Sequence, residues 1–186
     1  MYVELLTNDN LHLLPLVCET SFDYYRDYWT QYRNIHSAKE VEICFKQTFI
    51  NKYNYNDNTS TNKNYNNLYI ILLDKQDYLP STQNQMIGFC STLDNDFEHY
   101  KKKDANGLFF SDLFIFNKYR NKGYATQVIK TIIDILLQDK KIIYISVAND
   151  PILLEFYKKR GFEIIDKYVA ESDYFIFEYS GDIAKL

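Results

Sequence analysis

Residues 111–137 read SDLFIFNKYRNKGYATQVIKTIIDILL, and the rest of the chain is organised around this stretch. It begins with apolar and aromatic residues, continues through a basic segment with one glycine, and ends in a long apolar run. Apolar residues of that run recur every three or four positions: Ala125, Val128, Ile129, Ile132, Ile133, Leu136 and Leu137. This order predicts a strand, a loop and an amphipathic helix with one buried face.

The loop between the strand and the helix carries the first functional signal. A loop that opens a helix presents unpaired backbone N–H groups at the positive end of the helix dipole, where an anion can bind. Here the loop has the spacing Arg120-x-x-Gly123-x-Ala125, and Lys118 and Lys122 add two further cations to a chain whose net charge is −4. Local positive charge on an acidic protein predicts a specific anionic ligand such as a phosphate.

Composition sets the class of protein. The length of 186 residues fits one domain with a sizeable core, and 46% hydrophobic with 25% charged residues is ordinary for a soluble globular chain. The net acidity argues against a nucleic-acid partner. The N-terminus lacks a basic start and no apolar run approaches the length of a membrane span, so we expect neither a signal peptide nor a membrane partner.

The three cysteines narrow the setting further. Cys18, Cys44 and Cys90 are widely spaced and follow no paired pattern, so neither a disulfide framework nor a zinc site is indicated, and we expect no metal. Free thiols of this kind are typical of a reducing compartment. The expected location is therefore intracellular, in the cytoplasm.

Along the rest of the chain, strands and helices alternate around this central stretch. The patterns predict strands over 2–6, 68–73, 86–93, 142–147, 162–168 and 174–179, and two or three helices between residues 10 and 52. Polar or charged loops are predicted over 51–67, 76–85 and 94–106. Asp150-Pro151 predicts a helix start with Asp150 as the N-cap, and Gly161 predicts its end.

Two motifs together resemble a known family. The spacing Arg120-x-x-Gly123-x-Ala125 between a strand and a helix, followed downstream by Tyr157-x-x-x-Gly161-Phe162, resembles the GNAT superfamily of acyl-coenzyme-A N-acetyltransferases. The resemblance implies one N-acetyltransferase domain over residues 1–186. It implies a mixed α/β fold with a central, mostly antiparallel sheet of about seven strands flanked by helices. The sheet would splay between the strands before and after the coenzyme-A-binding helix.

The resemblance also implies acetyl-CoA as co-substrate and a set of residues that hold it. The pyrophosphate cradle would consist of Arg120, Asn121, Lys122, Gly123, Tyr124, Ala125 and Thr126. The backbone of Phe114, Ile115 and Phe116 would pair with the pantetheine arm, and Asn149 would donate or accept a hydrogen bond there. A side chain at Gly123 would block the close approach of the pyrophosphate, which is a physical reason for glycine at this position.

The same resemblance assigns the chemistry to two residues. Tyr157 matches the position of the general acid that protonates the departing thiolate, although a tyrosine that only packs its helix stays an alternative in a chain with 18 Tyr. The family's slots for a general base hold Phe109 and Ser111. Asp112 lies next to them, on the opposite face of a regular strand, and is either catalytic or a structural carboxylate. A water relay, or Glu171 or Asp173, could deprotonate the amine instead.

The resemblance implies a primary amine as acceptor, and we expect a small amine or polyamine slightly ahead of the others. The pairing of Asp112-Leu113-Phe114 with Asn149-Asp150-Pro151 looks somewhat like diamine and polyamine acetyltransferases. Peptide or protein amines, amino sugars and aminoglycosides stay open, as does a homodimer. Two other classes also stay open: a non-catalytic acyl-CoA-binding module on the same fold, and an unrelated α/β phosphate- or nucleotide-binding domain.

Overall fold

The computed structural model describes residues 1–50, 66–73, 86–93, 107–138, 142–169, 173–179 and 181. The predicted turn over 76–85, the charged loop over 94–106, most of the polar loop over 51–67, and Glu171 lie outside the described residues. Contacts within the chain divide it into two compact units, Met1–Phe89 and Cys90–Leu186. The single domain over residues 1–186 stays a prediction.

Before β3, the described part of the first unit contains two strands, two α-helices and three short helical turns. They are β1 (Tyr2–Leu5), a 3-10 helix (Asn8–Leu13), α1 (Leu14–Tyr24), a π-helical turn (Tyr28–Tyr32), α2 (Ala38–Phe45), a second π-helical turn (Lys46–Ile50) and β2 (Asn67–Leu72). β1 and β2 are antiparallel, with Val3 opposite Ile71. The predicted first strand and the helices between residues 10 and 52 are confirmed.

Local chemistry explains where these elements begin. Thr7 caps the 3-10 helix and forms a reciprocal capping box with Asn10. Ser37 caps α2 by accepting a hydrogen bond from the backbone N–H of Glu40. The indole N–H of Trp29 donates to the Ser21 carbonyl at 3.2 Å, which satisfies the polar edge of a buried aromatic ring.

The second unit contains the strand, loop and helix over residues 111–137. The strand β3 (Met86–Leu93) runs through the boundary of the two units and is followed by β4 (Gly107–Ile115), a 3-10 turn (Asn117–Tyr119), α3 (Tyr124–Gln138), β5 (Ile142–Ala148), α4 (Pro151–Lys158), β6 (Phe162–Val169) and β7 (Asp173–Tyr179). α3 buries the predicted apolar face against β4 and β5, and α4 packs against β5 and β6.

The strands form a seven-stranded sheet in the order β1-β2-β3-β4-β5-β7-β6. β5 and β7 are antiparallel, as are β6 and β7, whereas β4 and β5 are parallel. The predicted mixed α/β class with a mostly antiparallel sheet of seven strands is confirmed. None of the described helices is both long and apolar enough to span a membrane.

Candidate active site

A gap between two parallel strands is the centre of the candidate site. The paired positions of β4 and β5 are Gly107 with Ile142, Leu108 with Ile143, and Phe109 with Tyr144. Both strands continue beyond these pairs, to Ile115 and to Ala148. The facing edges therefore separate after Phe109 and Tyr144, and the predicted splay around α3 is confirmed. An extended ligand arm can lie along strand backbone in such an opening.

The loop after β4 takes a conformation suited to an anion. Asn121 and Gly123 both have positive φ, 60° and 81°, immediately before α3 begins at Tyr124. A Cβ added at Gly123 would meet no other atom of the described chain within 4 Å. The space above Gly123 is thus open, and the fit to a phosphate group that approaches the backbone at the start of α3 is good.

Arg120 has a structural contact that the sequence did not indicate. Its Nε donates to the Ile115 carbonyl at 2.8 Å, and its Cζ lies 5.2 Å from the ring centroid of Phe114. The side chain therefore ties the loop back to the end of β4 and engages one of the carbonyl groups predicted for the pantetheine arm. Phe116 follows the last residue of β4, and its ring centroid lies 6.0 Å from that of Phe114.

Lys122 and Thr126 make further contacts in the loop and the first turn of α3. The Nζ of Lys122 lies 5.7 Å from the ring centroid of Tyr119, so the ammonium group is held near the loop by a cation–π contact. Ala125 and Thr126 are half-buried. The Thr126 hydroxyl accepts hydrogen bonds from Nε and Nη2 of Arg160, at 2.9 and 2.6 Å. Sequence reasoning missed Arg160, because a single arginine before a glycine carries no specific signal.

At the start of α4, Asp150 is the predicted helix cap, and Asn149 is the predicted contact for the pantetheine arm. The Oδ1 of Asp150 accepts from the backbone N–H of Ile152 at 2.8 Å and of Leu153 at 3.4 Å, so Asp150 is confirmed as the N-cap. Asn149 is exposed at the end of β5, and its pantetheine contact stays a prediction.

Tyr157 is half-buried on α4 between two other aromatic rings. Its ring meets those of Phe156 and Phe162 edge-to-face, with centroids 5.1 and 5.7 Å apart. Burial raises the pKa of the Tyr157 phenol to about 12, while the positive charge of Arg160 lowers it and the thiol of Cys90 raises it slightly further. The phenol therefore keeps its proton at neutral pH and can act as a hydrogen-bond donor.

Asp112 sits at an irregular point of β4. Its φ of 50° is in the left-handed region, so the expectation of a regular strand here is wrong, and face assignment by alternation does not apply to Asp112. The residue is exposed, and its Oδ2 accepts a hydrogen bond from Ser91 Oγ of β3 at 2.8 Å. In contrast, Phe109 is fully buried and its ring centroid lies 5.6 Å from that of Tyr144, whereas Ser111 is half-buried.

The buried thiol of Cys90 lies near both Asp112 and Tyr157. Burial of Cys90 on β3 raises the pKa of its thiol far above the usual range, and the nearby carboxylate of Asp112 raises it further. The same thiol influences the pKa of Tyr157. Of the other base candidates, the Asp173 side chain lies outside the described residues, as Glu171 does.

Comparisons with known proteins agree with this geometry. The family model described as Acetyltransferase (GNAT) family matches residues 22–162. The structure resembles spermidine N-acetyltransferase from Vibrio cholerae in complex with CoA and spermine, at 16% identity, a TM-score of 0.62, and coverage of 95% of this chain and 93% of that one. No curated protein matches the sequence.

Two further solved structures have the same fold. PaiA N-acetyltransferase from Thermoplasma acidophilum, in complex with coenzyme A, is 19% identical with a TM-score of 0.51 and covers 96% of this chain and 98% of its own. A probable acetyltransferase from Staphylococcus epidermidis is 14% identical with a TM-score of 0.60 and covers 97% and 98%. Because the family model matches most of its length, the chain belongs to the GNAT family of acetyltransferases, enzymes that use acetyl-CoA as co-substrate.

Proposed function

We propose that this protein transfers an acetyl group directly from acetyl-CoA to a primary amine, within one N-acetyltransferase domain. The observation that carries the proposal is the separation of β4 and β5 after Phe109 and Tyr144, next to the loop that opens α3. An extended acyl-carrying arm fits that opening, and its phosphates fit the loop. The family model spans both compact units, which supports a single domain.

The loop and the opening have separate tasks in binding acetyl-CoA. The backbone N–H groups around Asn121 and Gly123, together with the start of α3, would bind the pyrophosphate. Phe114 and Ile115 border the opening in which the pantetheine arm would lie, and Asn149 lies exposed just after β5. Arg120 stabilises the junction of the two regions through the Ile115 carbonyl, a role different from phosphate contact through its side chain.

In the reaction, the neutral amine nitrogen forms a bond to the thioester carbonyl carbon. The C–S bond then breaks, its electron pair stays on sulfur, and the amine nitrogen loses a proton. Tyr157 would donate its phenolic hydrogen bond to the sulfur as negative charge develops there. A pKa raised to about 12 by burial supports this role, because the donor stays protonated over the working pH range.

Asp112 is our candidate for the group that accepts the proton from the amine. Its left-handed backbone breaks the alternation of β4, and the hydrogen bond from Ser91 fixes one of its carboxylate oxygens. Its carboxylate could accept a proton from the amine, directly or through a water molecule. The exposure of Asp112 supports access by an amine from solvent.

For the acceptor, we propose a small amine or polyamine. A carboxylate near the opening favours a cationic amine by charge, and the Vibrio cholerae enzyme of the same fold was crystallised with spermine. At 16% identity that likeness supports the fold, so the substrate class depends on Asp112 and on the residues that follow it. Peptide amines are the competing acceptors.

A free-thiol assay with acetyl-CoA tests the proposal directly. The panel contains diamines and polyamines, amino sugars, aminoglycosides and short peptides, and we expect thiol release with the first group. Release with peptides alone would overturn the acceptor class. Binding of CoA without release for any amine would identify a non-catalytic acyl-CoA-binding module, which the apolar Phe109 and neutral Ser111 in the base slots would explain. Stabilisation by ATP or NAD but not by acetyl-CoA would overturn both.

A further inference from the structure

Arg160 connects two parts of the second unit that are far apart in sequence. Its Nε and Nη2 both donate to the Thr126 hydroxyl, 34 residues away, in the first turn of α3. Its Nη1 donates to the Phe156 carbonyl at 2.5 Å, and its Cζ lies 3.5 Å from the Phe156 ring centroid. One guanidinium group thus holds the start of α3 and the last turn of α4 together.

The contact with Thr126 has a consequence for hydrogen bonding. A hydroxyl group has two lone pairs and one proton, and the two N–H groups of Arg160 engage the oxygen as an acceptor. The Thr126 O–H is then left as a donor, and it lies at the helix start where an anion would bind. Hydrogen bonds from a charged donor are roughly twice as strong as neutral ones, so the orientation is well held.

The contact with α4 concerns Tyr157. The backbone N–H of Arg160 donates to the Tyr157 carbonyl at 2.9 Å, while its side chain covers the neighbouring Phe156 ring. The ring of Phe156 in turn meets the Tyr157 ring edge-to-face. A displacement of the guanidinium group would therefore change the support of the Tyr157 ring as well as the Thr126 hydroxyl.

We propose that Arg160 is a positioning residue that couples the cofactor-binding loop at the start of α3 to Tyr157 on α4. The inference rests on the proposed function and goes beyond it, because it assigns to one residue at an unspecified position of the second motif an effect on cofactor binding and on turnover. The effect on cofactor binding acts through Thr126, and the effect on turnover acts through Phe156 and Tyr157.

The test compares R160M and T126V with two matched controls. K158M removes a neighbouring exposed cation of α4, and T131V removes a hydroxyl of α3 that donates to the Gln127 carbonyl one turn earlier. We expect R160M to raise KM for acetyl-CoA and to lower kcat, each about tenfold, the lower end of the effect of losing a hydrogen bond to a charged group. T126V should raise KM by a similar factor, T126S should restore it, and both controls should behave as wild type.

The Y157F background separates positioning from simple stabilisation. In Y157F, R160M should no longer lower kcat, because the Tyr157 hydroxyl that Arg160 positions is absent. Its effect on KM should persist. An equal loss of kcat in both backgrounds, or a lower melting temperature with unchanged kinetics, would overturn the proposal. If wild type releases no thiol with any amine, the proposed function fails. Calorimetric CoA affinity then decides: unchanged affinity in R160M and T126V overturns the coupling, and weakened affinity in both supports it.

Discussion

We expect the loss of the Tyr157 hydroxyl to slow the chemical step and to leave cofactor binding unchanged. The Y157F variant keeps the ring contacts with Phe156 and Phe162 and removes only the hydroxyl. We expect kcat to fall by about 100-fold, within the range for a positioned proton donor, and KM for acetyl-CoA to stay nearly constant. Initial rates of thiol release over a range of acetyl-CoA concentrations measure both constants.

A second tyrosine serves as the control for Tyr157. Tyr2 lies half-exposed on β1 in the first unit, and Y2F should turn over like wild type. Because the Tyr157 pKa is raised to about 12, the wild-type rate should not decline through ionisation of this phenol below about pH 10. Equal kcat for Y157F and wild type would show that Tyr157 only packs its helix.

At Asp112, backbone conformation and charge can be separated by two substitutions. Asparagine tolerates a positive φ and keeps the shape of the side chain, whereas alanine carries a left-handed penalty of roughly 1–2 kcal/mol. D112N should therefore unfold with nearly the wild-type free energy, and D112A should lose about 1 kcal/mol or more. If Asp112 accepts the proton, both variants should lose most of their turnover.

Urea unfolding and the thiol-release assay measure the two effects independently. A fully active D112N variant would identify Asp112 as a structural carboxylate and would transfer the base to a water relay or another side chain. The conservative S91A change removes the hydrogen bond to Oδ2 and should lower turnover less than D112N does, since the carboxylate itself remains.

Residue-scale detail is where sequence reasoning reached its limit. The left-handed φ of Asp112 could not be predicted, because an irregularity inside a strand depends on its neighbours in the sheet and Asp112 is not a glycine. Arg160 was missed for a related reason, since its partner Thr126 lies 34 residues away. The roles of Tyr157 and Asn149 stay predictions from the motif.

Whole elements were more predictable than single contacts. Periodicity gave α3 its buried face, and Asp150-Pro151 gave the start of α4, because caps and apolar spacing are local properties of the chain. The two π-helical turns, Tyr28–Tyr32 and Lys46–Ile50, were not predicted, since a widened turn barely changes the apolar spacing. The separation of β4 from β5 followed from the family resemblance and is confirmed by the register.

The loop before α3 allows a prediction with an internal control. Gly123 has a φ of 81° and open space around it. G123A should therefore lower the free energy of unfolding by the roughly 1–2 kcal/mol of a left-handed residue. The added methyl group should also obstruct phosphate binding at the start of α3. We expect CoA affinity to fall by about tenfold or more, the equivalent of one lost hydrogen bond to a charged group. Calorimetry with CoA measures the affinity.

Gly181 matches Gly123 in backbone and surroundings. Its φ is 86°, and an added Cβ likewise meets nothing of the described chain within 4 Å. G181A should therefore pay a similar conformational cost and bind CoA as wild type does. Equal affinities for G123A and wild type would show that the loop does not hold the pyrophosphate.

At the scale of the whole molecule, buried protons link stability to pH. Burial raises the pKa of the Cys18 thiol to about 12 and that of Cys90 still further, and these residues lie in different compact units. An unfolded thiol ionises near pH 8.5, so between that pH and the folded pKa the unfolded chain binds fewer protons than the folded one. The free energy of unfolding should thus be unaffected below about pH 8 and fall as the pH rises above it.

Urea unfolding at several pH values from 7 to 10.5 checks this expectation. Each buried thiol should contribute a slope of about −1.4 kcal/mol per pH unit once its unfolded form is ionised. C18A and C90A should each be less stable at pH 7 because the substitution leaves a cavity. Each should nevertheless show a shallower decline of stability with alkaline pH than wild type. C44A, which removes a half-buried thiol, serves as the control. The ionisation of these thiols is reported by the pH dependence of stability and not by the stability at pH 7. A slope unchanged in C18A and C90A would therefore mean that other groups cause the alkaline loss.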